Sequence, residues 1–312
     1  MRLIWVLLLA LPVLAQQFPG TGLLADFASK AYYLYAPSNP AGNEVVAYKS
    51  ADLVKWEGPT PVFRLPDGSW ANPAQGIRNP EVQIYRGRYY LFVTFGNQEQ
   101  IIAKPPESWR LNTRRGTQVF VGDSPLGPFG AVGANESQTP RDFVAMDGTL
   151  YVEGDLAYLV YVHDWSQQID ATIEAVRLKA DLSPAAEDAL YLFKSSDAPW
   201  LRLERATSRN PRYYVGGGPS LWRTRTGGLV MLWSSLHGAK PAIAVARSAT
   251  GKIRGPWRQV GTLLTDLGPQ TSVFRAFDGR LMLMVQRPPT DPKPGIRLFE
   301  LEEAGATLRL KP

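Results

Sequence analysis

Arg86-Gly87-Arg88-Tyr89-Tyr90-Leu91-Phe92 reads as a tight turn running straight into a short aromatic strand. The strand word returns as Tyr32-Tyr33-Leu34-Tyr35, Tyr158-Leu159-Val160-Tyr161, Leu229-Val230-Met231-Leu232-Trp233 and Leu281-Met282-Leu283-Met284. Gly154-Asp155, Gly227-Gly228 and Asp278-Gly279-Arg280 stand ahead of the later copies. Such residues tolerate the positive φ that hairpin turns demand, so each word is expected to be the second strand of a hairpin.

A further element follows most hairpins, a strand that runs into a Gly-Pro turn. Ala47-Tyr48-Lys49-Ser50 leads to Gly58-Pro59, Val119-Phe120-Val121 to Gly127-Pro128, and Ala244-Val245-Ala246-Arg247-Ser248 to Gly255-Pro256. Glu174-Ala175-Val176-Arg177-Leu178, running to Leu182-Ser183-Pro184, is a looser copy. Four strands per unit, repeated five times at a spacing of roughly 50 to 70 residues, predict an all-β, five-bladed β-propeller of four-stranded antiparallel blades. A solenoid would have a shorter period and a fixed helix per repeat. A two-sheet sandwich is the alternative architecture. Long helices should be nearly absent from a chain with 28 glycines and 26 prolines.

Arg2 precedes an apolar run over residues 3–14 that closes on Val13-Leu14-Ala15, the pattern of a secretory signal peptide over residues 1–15. The run is too short for a permanent span, although an uncleaved anchor is the alternative. Residues 16–312 are expected to form one propeller domain, secreted or periplasmic, with no membrane span after cleavage and monomeric. With no cysteine, the chain has neither disulfides nor a thiolate nucleophile, and two histidines, His163 and His237, exclude a histidine-rich metal centre. No cofactor or metal is expected. The net charge of +6 is scattered rather than gathered into a basic stripe with interleaved aromatics, which argues against nucleic acid as a partner.

Several words carry a resemblance. They include Asn79-Pro80-Glu81, Gly116-Thr117-Gln118-Val119-Phe120, Asp123-Ser124-Pro125-Leu126-Gly127-Pro128-Phe129 and Asp147-Gly148-Thr149-Leu150-Tyr151-Val152. His163-Asp164-Trp165, Ser196-Asp197-Ala198-Pro199-Trp200, Gly218-Pro219-Ser220-Leu221-Trp222-Arg223 and Phe277-Asp278-Gly279-Arg280-Leu281 continue the series. In order and spacing the chain resembles glycoside hydrolase family 43, the arabinan- and xylan-cleaving five-bladed propellers. The resemblance implies an oligo- or polysaccharide partner and an inverting mechanism with a base Asp, an acid Glu and an Asp that orients the acid. Inversion requires two carboxyl groups about 6.5–9.5 Å apart, one ionised and one protonated.

Five positions are expected to begin the innermost strands: Gly20, Glu81, Asp147, Gly217 and Gln270. The family pattern places the base at Gly20, the acid at Gly217, the orienting Asp at Asp147 and a channel histidine at Gln270. Glycine exchanges no proton through a side chain, so Asp147 and Glu81 are left as catalytic candidates. Arg78, Asn79, Arg141, His163, Trp165 and Gln270 are candidates for binding substrate, the arginines through forked donors and Trp165 by stacking on a sugar face. Each has a plainer reading: Asp147 as a turn former, Glu81 as a hydrogen-bond acceptor, the arginines as solvated surface. Asp26 lies too far along its strand to replace a base at the mouth. Asp142, Glu153 and Asp164 are expected on surface loops, and Trp222 and Trp233 between blades. Three functions stay open: a hydrolase with rearranged carboxylates, a carbohydrate-binding propeller without catalysis, and a phosphorylase-like chemistry using one acid and arginines.

Overall fold

The computed structural model describes residues 20–39, 42–102, 111–201, 213–238, 240–268, 270–286 and 295–312. Residues 1–15, expected from the sequence to be a signal peptide, lie outside them. Among the described residues twenty strands form five sheets of four, each an antiparallel meander in sequence order. Blade 1 holds β1 (Gly22–Asp26), β2 (Ala31–Pro37), β3 (Glu44–Ser50) and β4 (Glu57–Arg64). Blade 2 holds β5 (Arg78–Tyr85), β6 (Arg88–Ile102), β7 (Asn112–Gly122) and β8 (Gly130–Ala131). Blade 3 holds β9 (Ala145–Glu153), β10 (Leu156–His163), β11 (Thr172–Leu178) and β12 (Leu190–Lys194). Blade 4 holds β13 (Gly217–Arg223), β14 (Leu229–His237), β15 (Lys240–Ser248) and β16 (Trp257–Thr265). Blade 5 holds β17 (Thr271–Arg275), β18 (Leu281–Gln286), β19 (Ile296–Glu303) and β20 (Leu308–Leu310). The architecture is the all-β five-bladed propeller that the repeat predicts, not a sandwich. Among the described residues the one α-helix is α1 (Trp165–Gln168), and no helix is long and apolar enough to cross a membrane.

Every repeated aromatic word is the second strand of its blade, and here the burial is heaviest: Tyr32 to Tyr35, Leu91, Phe92, Leu159 to Tyr161, Leu229 to Trp233 and Leu283 to Val285 are all buried. These strands lie between two neighbours in the sheet and between two blades, so both faces are apolar and strict alternation is lost. The Gly-Pro words sit before or at the entry of the fourth strands, with Gly58, Gly127 and Gly255 at positive φ before cis prolines.

Among the described residues no strand is exchanged between the first and last blades, since β20 pairs with β19 and β1 with β2. Side chains close the ring instead. Tyr32 stacks on Phe277 at 4.1 Å and meets Phe274 edge-on at 6.1 Å, while its hydroxyl accepts the Phe277 N–H at 3.0 Å. Leu23, Leu34, Met282 and Met284 fill the same seam, and the Leu23 N–H is donated to Ser272 Oγ at 3.2 Å.

Candidate functional site

The registers of the inner hairpins identify equivalent channel positions. Gly22 pairs with Tyr35, Glu81 with Phe92, Thr149 with Val160, Ser220 with Leu232 and Ser272 with Met284, each at the same step from the end of its hairpin once the Thr224–Gly228 and Ala276–Arg280 backbone bonds that close the longer turns of blades 4 and 5 are counted. Two residues earlier on each chain stand Gly20, Asn79, Asp147, Gly218 and Gln270. This corrects the expected set at two places. Asn79, not Glu81, shares the level of Asp147, and Glu81 lies one alternation deeper, about 6–7 Å along the strand. Gly218 is the blade 4 equivalent, with Gly217 just before it.

At this level the ladders break. Register shifts between Arg78 and Glu81, opposite Asp147 and between Gly217 and Ser220 are β-bulges. Their central residues, Asn79, Asp147 and Gly218, have φ of 49, 58 and 52°, and Gly20 has φ 85°. A bulge re-aims the side chain at a strand end, and Asn and Asp are the side chains that best tolerate left-handed backbone. The N–H groups freed from blade 3 are taken by threonines of blade 2: Asp147 N–H by Thr94 Oγ1 and Gly148 N–H by Thr117 Oγ1, both at 3.0 Å, with the two hydroxyls 3.1 Å apart. Thr117→Val should therefore cost about 1–3 kcal/mol in denaturant unfolding, the penalty of an unpaired buried donor. An unchanged midpoint would remove the shelf from this account.

Asp147 is the hub. Its Oδ2 accepts the Gly218 N–H at 3.0 Å and its Oδ1 accepts the side-chain amide of Asn79. Asn79 in turn occupies the space beside Gly20: a Cβ at 20 would fall 1.7 Å from Asn79 Oδ1 and 2.7 Å from its Cα. Gly217 is different. A Cβ there would meet only Ser234 Oγ at 2.9 Å and Asp147 Oδ2 at 3.5 Å, and its φ is ordinary. Glycine is thus demanded by packing at 20 but not at 217.

Burial raises the Asp147 carboxyl above the usual aspartate range; the Gly218 and Asn79 bonds and the Arg78 charge oppose the rise, and the Asp164 carboxylate adds to it. Burial likewise raises Glu81, against hydrogen bonds with Gln83 and Thr149. Gln83 Nε2 donates to both Glu81 Oε1 and Thr149 Oγ1 at 2.8 Å, in a channel cavity of about 290 Å³ that also reaches Ser220, Ser272 and Arg275. A raised native pKa means that the folded state holds its proton more tightly than the unfolded chain. Stability from these groups is therefore fully present below the ordinary carboxyl pKa and lost as pH rises through the raised one. Glu81→Gln should flatten that fall and be more stable than the parent at neutral pH in urea unfolding. A parallel shift at all pH values would reject the assignment.

The other candidates separate. Arg78, exposed, opens β5 beside Asn79 and acts on Asp147 through its charge. Gln270 is buried at the blade 5 position of the same level. Trp165 stacks on Tyr213 at 4.1 Å and borders a second cavity of about 270 Å³ with Arg115, Met146 and Asp164. His163 is buried away from any open surface, stacked on Phe143 at 3.9 Å, with Nε2 2.8 Å from Gln167 Oε1 and Nδ1 3.3 Å from Glu174 Oε1. Arg141 is exposed and ion-paired to Glu136. Asp164, expected on a surface loop, is instead buried as the N-cap of α1, accepting the Ser166 N–H at 3.0 Å. Asp26 is the buried acceptor of the β1–β2 turn, bonded to Ala28 and Ser29 N–H and to the Tyr89 hydroxyl. Among the described residues no group of three metal-ligating side chains occurs. Sequence reading missed Arg115 and the threonine shelf, and put Asp164 on a surface loop, because all lie on neighbouring strands or turns rather than on the innermost ones.

The mouth of this five-bladed propeller thus gathers one half-buried carboxyl, an amide and an arginine. The chain belongs to the glycosyl hydrolases of family 43, whose family model matches residues 11–282. Among solved structures it is similar to an endo-arabinase from Bacteroides thetaiotaomicron VPI-5482, with 32% identity over 93% of this chain and 96% of that one and a TM-score of 0.80. A thermostable family-43 glycoside hydrolase (20% identity, 95% and 93% covered, TM-score 0.75) shares the fold. So does an α-L-arabinofuranosidase from Lactobacillus brevis (16%, 94% and 93%, TM-score 0.70). No curated protein matches the chain significantly.

Proposed function

We propose that this propeller binds arabinose- or xylose-containing plant glycans at the Asn79–Asp147 mouth of its channel and does not turn them over by the two-carboxylate route of its family. The observation that carries the reading is the Asn79 side chain standing against Gly20 and closing on Asp147. Inverting hydrolysis needs a second carboxyl across the sugar from the first, and at the level of Asp147 the other positions are Gly20, Asn79, Gly218 and Gln270. An amide and a carboxyl side by side offer both donors and acceptors to sugar hydroxyls. Membership in family 43 and the likeness to an endo-arabinase support the choice of glycan.

One observation favours retained hydrolysis: Asp147 is raised toward an acid's range and the Asp164 carboxylate acts on it through space. In that reading Asp147 is the acid and a displaced carboxylate the base. The basic-then-apolar leader over residues 1–15 supports export to the periplasm or beyond, where such glycans are met. Titration calorimetry against arabinan, xylan and their oligomers tests the binding reading. Saturable heat with at least one of them is the expected outcome, and heat with none would overturn it.

A further inference from the structure

Four described arginines are buried or half-buried: Arg114, Arg115, Arg177 and Arg275. Three are held by glutamates, Arg114 by Glu136, Arg177 by Glu187 at 3.2 Å and Arg275 by Glu303 at 3.6 Å. Arg115 is the exception. Among the described residues its head group reaches only Met146 Sδ, at 3.4 Å, and a thioether is a weak acceptor. It lines the 270 Å³ cavity with Asn112, Thr113, Asp164, Trp165 and Ser166. Arg78, the residue before Asn79, is near enough for its charge to act on it.

We propose that Arg115, with Arg78 beside it, forms a subsite for a sugar carboxylate, so that the glycan held at the channel mouth carries a uronic acid. This rests on the glycan-binding reading above and names the substrate class within it. A half-buried guanidinium with only a thioether acceptor has donors to spare, and a carboxylate meets its planar fork with two parallel hydrogen bonds. The carboxylates nearby do not meet this need: Asp164 accepts from Ser166 N–H, and Asp147 from Gly218 N–H and Asn79. Their charges instead balance the two arginines, so the cavity suits one anionic group on an otherwise neutral ligand rather than a polyanion. Burial, and then the Arg78 charge, lower the hold of Arg115 on its proton, with Asp164 and Asp147 opposing, which fits a cation that an arriving anion would relieve.

The test uses a glucuronic-acid-bearing xylo-oligosaccharide, its methyl ester and the undecorated oligomer, titrated calorimetrically into the purified chain. The free acid is expected to bind about tenfold tighter than the ester, the worth of a charge-assisted pair. The gap should close in Arg115→Met and narrow as salt rises. Equal affinity for acid and ester in the unmutated protein overturns the subsite; if the neutral oligomers still bind, the glycan-binding reading survives it. Binding of none of the three overturns the subsite, and overturns the glycan-binding reading as well when arabinan gives no heat either. Inorganic phosphate that displaces the uronate and binds more tightly would also overturn it, in favour of a phosphate site.

Discussion

Gly20→Asp, which would put a carboxylate where the family pattern places its base, is expected to destabilise the fold by about 2–5 kcal/mol, from overpacking plus a left-handed backbone that aspartate adopts at some cost. The new Cβ would lie 2.7 Å from the Asn79 Cα, and backbone cannot swing aside as a side-chain tip can. Asn79→Gly in the same chain removes the Oδ1 clash and should recover part of the loss, a coupling that a double-mutant cycle in urea measures directly. Gly217→Glu is the internal control. Its Cβ meets a rotatable serine hydroxyl and approaches Asp147 Oδ2 without overlap, so it should cost far less than Gly20→Asp despite adding a larger side chain. Equal costs at the two sites would contradict the asymmetry on which the proposed loss of the base position rests.

Tyr32→Ala carries the second large effect, expected at about 3–5 kcal/mol, because it empties a ring-sized space and strips a hydrogen bond in one step. The reason lies in topology. A propeller whose terminal blades exchange a strand is closed by backbone hydrogen bonds, whereas here each blade is complete in sequence order and the join between blades 1 and 5 depends on side-chain packing. Tyr32 contributes a stacked partner in Phe277, an edge contact with Phe274 and an acceptor for the Phe277 N–H. Tyr32→Phe separates these contributions: it keeps the ring and should cost only about 1 kcal/mol for the lost bond. A Tyr32→Ala variant that unfolds with the parent would mean that the ring is closed elsewhere.

The blades were legible in the sequence because the second strand of each is buried on both sides, leaving a dense aromatic word followed at regular distance by Gly-Pro. Asp147 was singled out by the resemblance to family 43, which places an acid-orienting Asp there; its Asp-Gly pair alone reads as a turn. What escaped was the exact level of each channel residue. Asn79-Pro80-Glu81 offers a carboxylate that draws attention, yet the bulge at Asn79 puts the amide at the mouth and the acid below it, and a bulge leaves no period in the sequence to count. Counting back from the two-residue turns Arg86-Gly87 and Gly154-Asp155, rather than from the aromatic words, puts Asn79 at the same step as Asp147. Arg115 escaped, and Asp164 was placed on a surface loop, for another reason: β7 and the turn into α1 belong to the outer parts of blades 2 and 3, and only the folded ring brings them to one cavity. His163 misled because its neighbours Asp164 and Trp165 do reach the cavity while its own ring turns inward to Gln167 and Glu174.

The most direct test of the central claim is release of reducing sugar from arabinan and xylan oligomers, and of nitrophenol from the arabinofuranoside and xyloside, by the unmutated chain beside its Asp147→Asn variant. The account predicts no turnover by either protein in preparations that bind glycan by calorimetry. Turnover by the unmutated chain that vanishes in Asp147→Asn would contradict it, and would mean that a displaced carboxylate partners Asp147 in this channel.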